Sequence, residues 1–407
     1  MERYVDSIEK RWVRDDGKIV YATIGVRYCG QVDFRTLKEA FHLLCSKYPV
    51  LCGEVVRERR GDVLRVSEGD RAEIVRVDGG LDVVISLLSN DGKDGEFDVS
   101  NVSKFSNSKM SCLFFAPEEI QGHLFLSINH ILIGGANGMF YLAELWQIYT
   151  SIMTGCHVSI PDVGRLPKAP TEILKERWLW PVRVQERGVA SVPRIIGERT
   201  GVEVTLDPQK SSRLIEKARS LGVSFNSLLF GEVTAAIQEY EPSDSGEVTC
   251  SAAVDLFGKV SPPVLFSETT YFAGEITVTI PADTDPVRNA LEIKKEWDLA
   301  IANRLISISG YNYLPNAKGP DISWNGYLPS GSPSLVTPEG VNIREIIPLG
   351  TKMYLLGRAA DRDIFDSPKI FGICYSYQGV SNILLSCEVG RKYIVSEIAS
   401  RILSCVE

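Results

Sequence analysis

Length, composition and charge set the first limits on this chain. It has 407 residues, more than one ordinary hydrophobic core accommodates, so we expect two domains, with three as the alternative. A hydrophobic share of 44% and a charged share of 24% are typical of a packed globular protein and exclude a disordered or fibrous one. The net charge of −8 argues against binding to nucleic acid or to an anionic membrane surface.

The cysteines, the histidines and the first residues bear on compartment and on metal binding. The nine cysteines are scattered, odd in number and free of any CxxC pair, which indicates reduced thiols and a cytoplasmic protein. With only four histidines and no close cysteine pair, local spacing predicts no metal site. Residues 1–12 lack the apolar core of a signal peptide, and no window reaches the ~18 apolar residues of a membrane span.

The first part of the chain alternates strands with helices. Residues 32–51 have apolar positions at helical spacing, with Asp33 as the N-cap and Pro49 ending the run. Strand-like alternation precedes this helix in residues 19–28 and follows it in residues 61–69. The polar stretch 90–110 is typical of a surface loop, and residues 111–133 predict two strands joined by a turn at 117–122.

The pattern restarts after a proline-rich stretch. Residues 159–194 contain five prolines and little periodicity, which indicates a crossover between two halves. A strand follows, then a helix introduced by Asp207 and Pro208 and a second helix from near Ser224. Further strands and one long helix complete an α/β chain. The predicted organisation is an N-terminal subdomain at 1–165, a crossover linker at 166–194 and a C-terminal subdomain at 195–407.

One histidine stands at the hinge between a strand and a helix in LFLSINHILIGGANGMFYL, residues 124–142. Strand alternation places Leu124, Leu126, Ile128 and His130 on one side, so His130 ends an apolar row. Burial there favours the neutral imidazole, which suits a general base that takes a proton from a hydroxyl or amine. A structural core histidine fits the same pattern, and these residues alone leave both interpretations open.

The glycines after His130 predict a tight turn into a helix. Gly134, Gly135 and Gly138 permit close backbone approach, and the following helix is expected to end at Gly155. A helix N-terminus beside the histidine favours developing negative charge. The spacing is neither G-x-G-x-x-G nor a Walker loop, which favours a plain strand-to-helix turn over a phosphate site. No G-x-S-x-G elbow occurs, which argues against an ordinary serine hydrolase.

A family resemblance rests on these same residues. NHILIGGANGMFYLAELWQIYTSIMTG resembles the HHxxxDG segment and following helix of the chloramphenicol-acetyltransferase-like superfamily, which includes condensation domains and alcohol acyltransferases. It looks most like the polyketide-associated acyltransferases. GQVDFRTLKEAFHLLCSKYPVL, VDLFGKVSPPVLFSETTYFAGEI and SWNGYLPSGSPSLVTPEGVNI support the resemblance in the same order along nearly the whole chain.

The resemblance implies a fold and a reaction. The fold would be two chloramphenicol-acetyltransferase-like subdomains forming a V with a tunnel between them. The reaction would move an acyl group from a coenzyme A or acyl-carrier-protein thioester to a hydroxyl or amine of a secondary metabolite or lipid. His130 matches the catalytic histidine and would act as general base. No metal or bound cofactor is implied; the partners would be a small-molecule acceptor and an acyl carrier protein.

Two motif positions depart from the family. Asn129 stands for the first histidine, and Gly134 stands for the aspartate, which in the family bridges to an arginine. After VDL the counterpart of that arginine is Phe257, so both ends of the bridge are replaced, which avoids a buried unpaired charge. The altered motif motivates two alternatives: a scaffold that cyclises a polyketide- or terpenoid-like intermediate, and a binding protein without catalysis.

The candidate site residues follow from the motif and from the late segment that the family places near the tunnel. We expect His130 to be catalytic. The predicted substrate contacts are Asn129, Gly134, Gly135, Asn137, Ser323, Trp324 and Asn325.

Overall fold

The computed structural model describes most of the chain. The described residues are 1–13, 21–67, 69, 72–89, 110–159, 166–177, 199–242, 244–303, 306, 321–327, 335–349 and 370–406. Apart from residue 110, the predicted surface loop at 90–110 lies outside them, as does much of the proline-rich crossover.

The described residues form a mixed α/β protein, as the sequence predicts. The strands are β1 (Glu2–Tyr4), β2 (Tyr21–Cys29), β3 (Glu54–Glu58), β4 (Gly61–Arg65), β5 (Glu73–Arg76), β6 (Ser111–Pro117), β7 (Gln121–Asn129), β8 (Arg199–Leu206), β9 (Glu247–Asp255), β10 (Ala273–Pro281), β11 (Asp321–Tyr327), β12 (Asn342–Ile347), β13 (Ile370–Tyr377) and β14 (Val380–Glu388). The helices are α1 (Phe34–Lys47), α2 (Gly80–Ser89), α3 (Gly135–Met153), α4 (Pro170–Arg177), α5 (Pro208–Ser220), α6 (Phe225–Tyr240), α7 (Pro286–Ala302) and α8 (Lys392–Ser404).

The chain divides into two compact units. Unit 1 comprises Met1–Leu179, Leu256–Phe272 and Ser330–Met353; unit 2 comprises Trp180–Asp255, Ala273–Pro329 and Tyr354–Glu407. Residues 256–272 and 330–353 therefore pack with unit 1 although they follow the crossover in sequence. The predicted division into a subdomain at 1–165, a linker at 166–194 and a subdomain at 195–407 stays a prediction. Helix α4 lies inside the segment predicted as linker.

Unit 1 is built on a five-stranded sheet in the order β12-β2-β7-β6-β5, with a smaller sheet β1-β4-β3. Helix α1 begins where predicted, because the carboxylate of Asp33 accepts a hydrogen bond from the Thr36 amide at 2.7 Å. Its apolar positions Leu37, Phe41 and Leu44 are fully buried. Helices α1 and α3 pack against each other, which fixes the helix that follows His130.

Unit 2 contains a six-stranded sheet in the order β10-β9-β11-β13-β14-β8, in which β11 runs parallel to β9 and β13. The two predicted helix starts are confirmed. Asp207 accepts from the Lys210 amide at 2.8 Å, and Ser224 Oγ accepts from the Ser227 amide at 3.0 Å. Across the described ranges no single helix has both the length and the apolar character to cross a membrane, while α5 and α6 meet that test together only as a pair bent by 89°.

Candidate active site

His130 lies in the turn between β7 and α3. Strand β7 ends at Asn129, so His130 is the first residue of the turn, whereas the predicted strand continues through His130 to residue 133. The alternation also predicts one apolar face, whereas the structure buries residues 122–129 on both faces of the sheet. His130 itself keeps an intermediate exposure. The histidine therefore stands at the edge of a buried part of the sheet.

Side-chain amides hold the turn. The Oδ1 atom of Asn129 accepts from the Ile131 amide at 3.0 Å. Asn137, which is fully buried, donates through Nδ2 to the Leu132 carbonyl at 2.8 Å and accepts through Oδ1 from the Gly134 amide at 2.6 Å. Two of the predicted substrate contacts thus have a structural role in shaping the backbone around His130, and their contact with substrate stays a prediction.

His130 is stacked on one aromatic ring and flanked at the side by another. Its imidazole lies face to face with the indole of Trp12, with ring centroids 3.6 Å apart and planes 3° from parallel. The ring of Tyr271 is tilted against both, 5.4 Å from His130 and 5.3 Å from Trp12. Trp12 and Tyr271 are buried, and so is the Nδ1 atom of His130. We call these three residues the His130 stack.

A buried carboxylate joins the segments that carry the two aromatic rings. Glu9, which is 0% exposed, accepts from both terminal nitrogens of Arg3 at 2.8 and 2.6 Å and from the Asp6 amide at 2.8 Å. It also accepts from the hydroxyl of Thr270. Glu9 shares a 3-10 turn with Trp12, and Thr270 directly precedes Tyr271. We call this set of contacts the Glu9 clip.

The backbone of the Tyr271 segment is also tied to the histidine turn, because the Tyr271 amide donates to the Ile131 carbonyl at 3.0 Å. A Cβ atom added at Gly134 would lie 3.6 Å from the ring of Tyr271, which is ordinary van der Waals contact. Phe257 stands at the position of the family's arginine. Its ring packs against Phe266 and Phe272, with centroids 4.7 and 5.4 Å away. Aromatic packing therefore surrounds both positions at which the motif departs from the family.

The remaining predicted contacts lie in two places. Gly135 is the first residue of α3, beside the histidine turn. Ser323, Trp324 and Asn325 lie on β11 in unit 2, where Trp324 pairs with Ala252 on one side and Gly372 on the other. Their side chains lie outside the described part of the structure, so their proposed contact with substrate stays a prediction.

The two aromatic residues of the stack and the Glu9 clip were missed by sequence reasoning. Trp12 stands in MERYVDSIEKRW, where the sequence indicates only the lack of a signal peptide, and Tyr271 lies in VDLFGKVSPPVLFSETTYFAGEI, which indicates only the family resemblance. A pair of acidic and basic residues close to an amino-terminal tryptophan is too common a pattern to indicate a site. Neither residue carries a local signal, since contact with His130 arises only in the folded chain.

A second histidine of β7 has a different environment. His123 is buried, and burial lowers its pKa, while Glu118 opposes that shift from 3.4 Å. Its partner and position in the middle of the sheet mark it as a core histidine. Within the ranges that the structure describes, no three histidine, cysteine, aspartate or glutamate side chains gather into a group that could hold a metal ion.

Replacing Asn137 by alanine tests whether the turn depends on its amide. The variant leaves the Leu132 carbonyl and the Gly134 amide without their buried partner, which is expected to lower the free energy of unfolding by about 1–3 kcal/mol. Urea unfolding of both proteins measures the difference. Gln147→Ala, at an exposed position of the same helix, is the control and is expected to leave the unfolding midpoint nearly unchanged.

Comparisons with known proteins agree with the resemblance. Residues 198–347 match the family model described as phthiocerol/phthiodiolone dimycocerosyl transferase C-terminus. A phthiocerol/phthiodiolone dimycocerosyl transferase of Mycobacterium leprae is 22% identical over 338 residues, which are 78% of this chain and 76% of the relative. Polyketide synthase associated protein 5 from Mycobacterium tuberculosis has a TM-score of 0.70 at 18% identity, covering 99% of this chain and 96% of that one.

A condensation domain from Monacolin K polyketide synthase MokA has a TM-score of 0.66 at 10% identity, covering 100% of this chain and 96% of that one. The fold is therefore that of the chloramphenicol-acetyltransferase-like superfamily and its condensation domains, as the motifs predict. The expectation that the chain is an acyltransferase is confirmed by the family model and by the curated relative.

Proposed function

We propose that this protein transfers an acyl group from a thioester of coenzyme A or of an acyl carrier protein to a hydroxyl group of a lipid or secondary metabolite, with His130 as general base. The observation that carries the proposal is the position of His130, a residue of intermediate exposure at the entrance to α3, with its imidazole stacked on Trp12 and flanked by Tyr271. The curated relative is named as a dimycocerosyl transferase, which supports a lipid acyl group as the transferred unit.

The chemistry needs one base in contact with the acceptor. His130 removes the hydroxyl proton as the acceptor oxygen attacks the thioester carbonyl and forms the new C–O bond. The C–S bond then breaks, and the imidazolium returns the proton to the departing sulfur. Because Nδ1 of His130 is buried, Nε2 is the nitrogen that carries the proton in this scheme.

The surroundings of His130 assist this step in two ways. The amino end of α3, which begins at Gly135, favours the negative charge that develops on the carbonyl oxygen. The buried amides of Asn129 and Asn137 hold the turn in one conformation, which keeps the base in position. Ser323, Trp324 and Asn325 remain proposed contacts with the substrate.

The proposal is tested by following both products in one reaction. The purified protein is incubated with an acyl coenzyme A and a long-chain alcohol, the free thiol is titrated, and the ester is identified by mass spectrometry. We expect one thiol released for each ester formed and slow release when the alcohol is omitted. Thiol release without ester, or a product with the mass of its precursor and no thioester consumed, would contradict acyl transfer; the second outcome supports cyclisation instead.

A further inference from the structure

The contact between Trp12 and His130 is closer and more parallel than packing alone requires. The centroid separation of 3.6 Å at an angle of 3° covers one whole face of the imidazole with the indole ring. The ring of Tyr271 lies at 58° to the imidazole of His130 and limits the movement of the imidazole from the side. A histidine in this arrangement cannot turn about its side-chain bonds without moving a buried aromatic ring, because interiors are close-packed.

The indole face also acts on the charge of the histidine. The faces of aromatic rings carry negative charge density, and tryptophan attracts cations most strongly among the aromatic side chains. An imidazolium against that face is therefore stabilised relative to a neutral imidazole. In the motif of this chain, the position that holds a carboxylate in the family is Gly134, which has no side chain to supply such a charge.

Trp12 is itself fixed in place, although it lies near the start of the chain. It is 6% exposed and ends the 3-10 turn Glu9–Trp12, whose first residue is the buried carboxylate of the Glu9 clip. Through Thr270 the same carboxylate holds the segment of Tyr271. The two rings that contact His130 are thus linked to each other as well as to the histidine, which is the arrangement expected of a preorganised support.

We propose that Trp12 is a positioning residue for His130, whose indole face fixes the plane of the imidazole and stabilises the imidazolium formed when the base takes up a proton. The kinetic effect that this inference predicts rests on the proposed acyl transfer. The orientation of the ring in the resting protein does not depend on that proposal and is measured separately.

Two substitutions separate the aromatic face from the volume of the side chain. Trp12→Phe keeps a flat ring against His130. Trp12→Leu has a side chain close to phenylalanine in volume but without a ring. We expect Trp12→Leu to lower kcat about tenfold with KM close to that of the native protein, and Trp12→Phe to retain most of the activity. In Trp12→Leu the acid limb of the pH profile of kcat/KM moves to lower pH, because the imidazolium has lost its stabilising face.

Nuclear magnetic resonance of histidine-labelled protein gives a readout without substrate. The ring protons of His130, assigned by their loss in His130→Gln, are expected to resonate upfield in the native protein because they lie against the indole. The upfield displacement is expected to disappear in Trp12→Leu and to persist in part in Trp12→Phe. Tyr4→Leu, which replaces a 54% exposed aromatic residue of the same segment, is the matched control and should alter neither the spectrum nor the kinetics.

The outcomes divide cleanly. Equal kcat values and equal pH profiles for Trp12→Leu and Trp12→Phe would overturn the inference, as would His130 signals that are not displaced in the native protein. If the native protein transfers no acyl group while the signals behave as expected, the proposed function fails but the positioning of His130 by Trp12 stands. Should Trp12→Leu not fold, Trp12→Met, which also lacks a ring, takes its place in both measurements.

Discussion

Replacement of His130 by glutamine is expected to lower kcat/KM for acyl transfer by about 10²–10⁴-fold, the range that loss of a general base produces. The glutamine amide is planar and of similar size, so it can occupy the space between Trp12 and Tyr271 without emptying it. Its nitrogen and oxygen cannot take up the hydroxyl proton at neutral pH. Initial rates of thiol release and of ester formation measure the loss.

The control for this variant is another histidine. His157→Gln changes an exposed residue beyond the end of α3 and is expected to retain native kinetics. Thermal melting of both variants shows whether the fold is kept. Ester formation at the native rate by folded His130→Gln would remove His130 as the base and leave it with a structural role in the stack.

The largest effect on stability is expected at the Glu9 clip. Arg3→Met removes the guanidinium from a carboxylate that is 0% exposed, and removal of one partner of a buried pair lowers the free energy of unfolding by about 3–5 kcal/mol. Glu9 keeps its hydrogen bonds from Asp6 and Thr270, but these do not neutralise its charge. Urea unfolding followed by tryptophan fluorescence measures the change.

Two further variants make the interpretation of Arg3→Met specific. Arg65→Met breaks two ion pairs, with Glu2 and Glu58, on the surface of the same small sheet and is expected to shift the unfolding midpoint only slightly. The double variant Arg3→Met with Glu9→Leu removes both charges and is expected to recover much of the lost stability. A loss for Arg3→Met no greater than that for Arg65→Met would contradict the structural importance of the clip.

The elements that carry the site follow from local sequence signals. Asp33, Asp207 and Ser224 cap helices where predicted, because a capping side chain bonds to an amide only a few residues away. The turn from β7 into α3 was predicted from its glycines for the same reason. The predicted end of β7, residue 133, lies four residues beyond its end at Asn129, since alternation along a strand does not indicate where the hydrogen-bonded ladder stops.

The support of His130 did not follow from the sequence, because its parts come from distant segments. Trp12 contacts the histidine from the first residues of unit 1, and Tyr271 contacts it because residues 256–272 pack with that unit. Phe257 and its aromatic neighbours occupy the place where sequence comparison expected an arginine, and no local pattern distinguishes that packing from an ordinary core.

The most direct test of His130 as the base is a single-turnover measurement, in which enzyme exceeds acyl donor so that product release does not limit the rate. Native protein and His130→Gln are mixed with the thioester and excess alcohol, and ester is quenched and quantified over time. We expect the rate constant of ester formation to fall in His130→Gln by about the same 10²–10⁴-fold as kcat/KM. Equal single-turnover rate constants for the two proteins would contradict catalysis by His130.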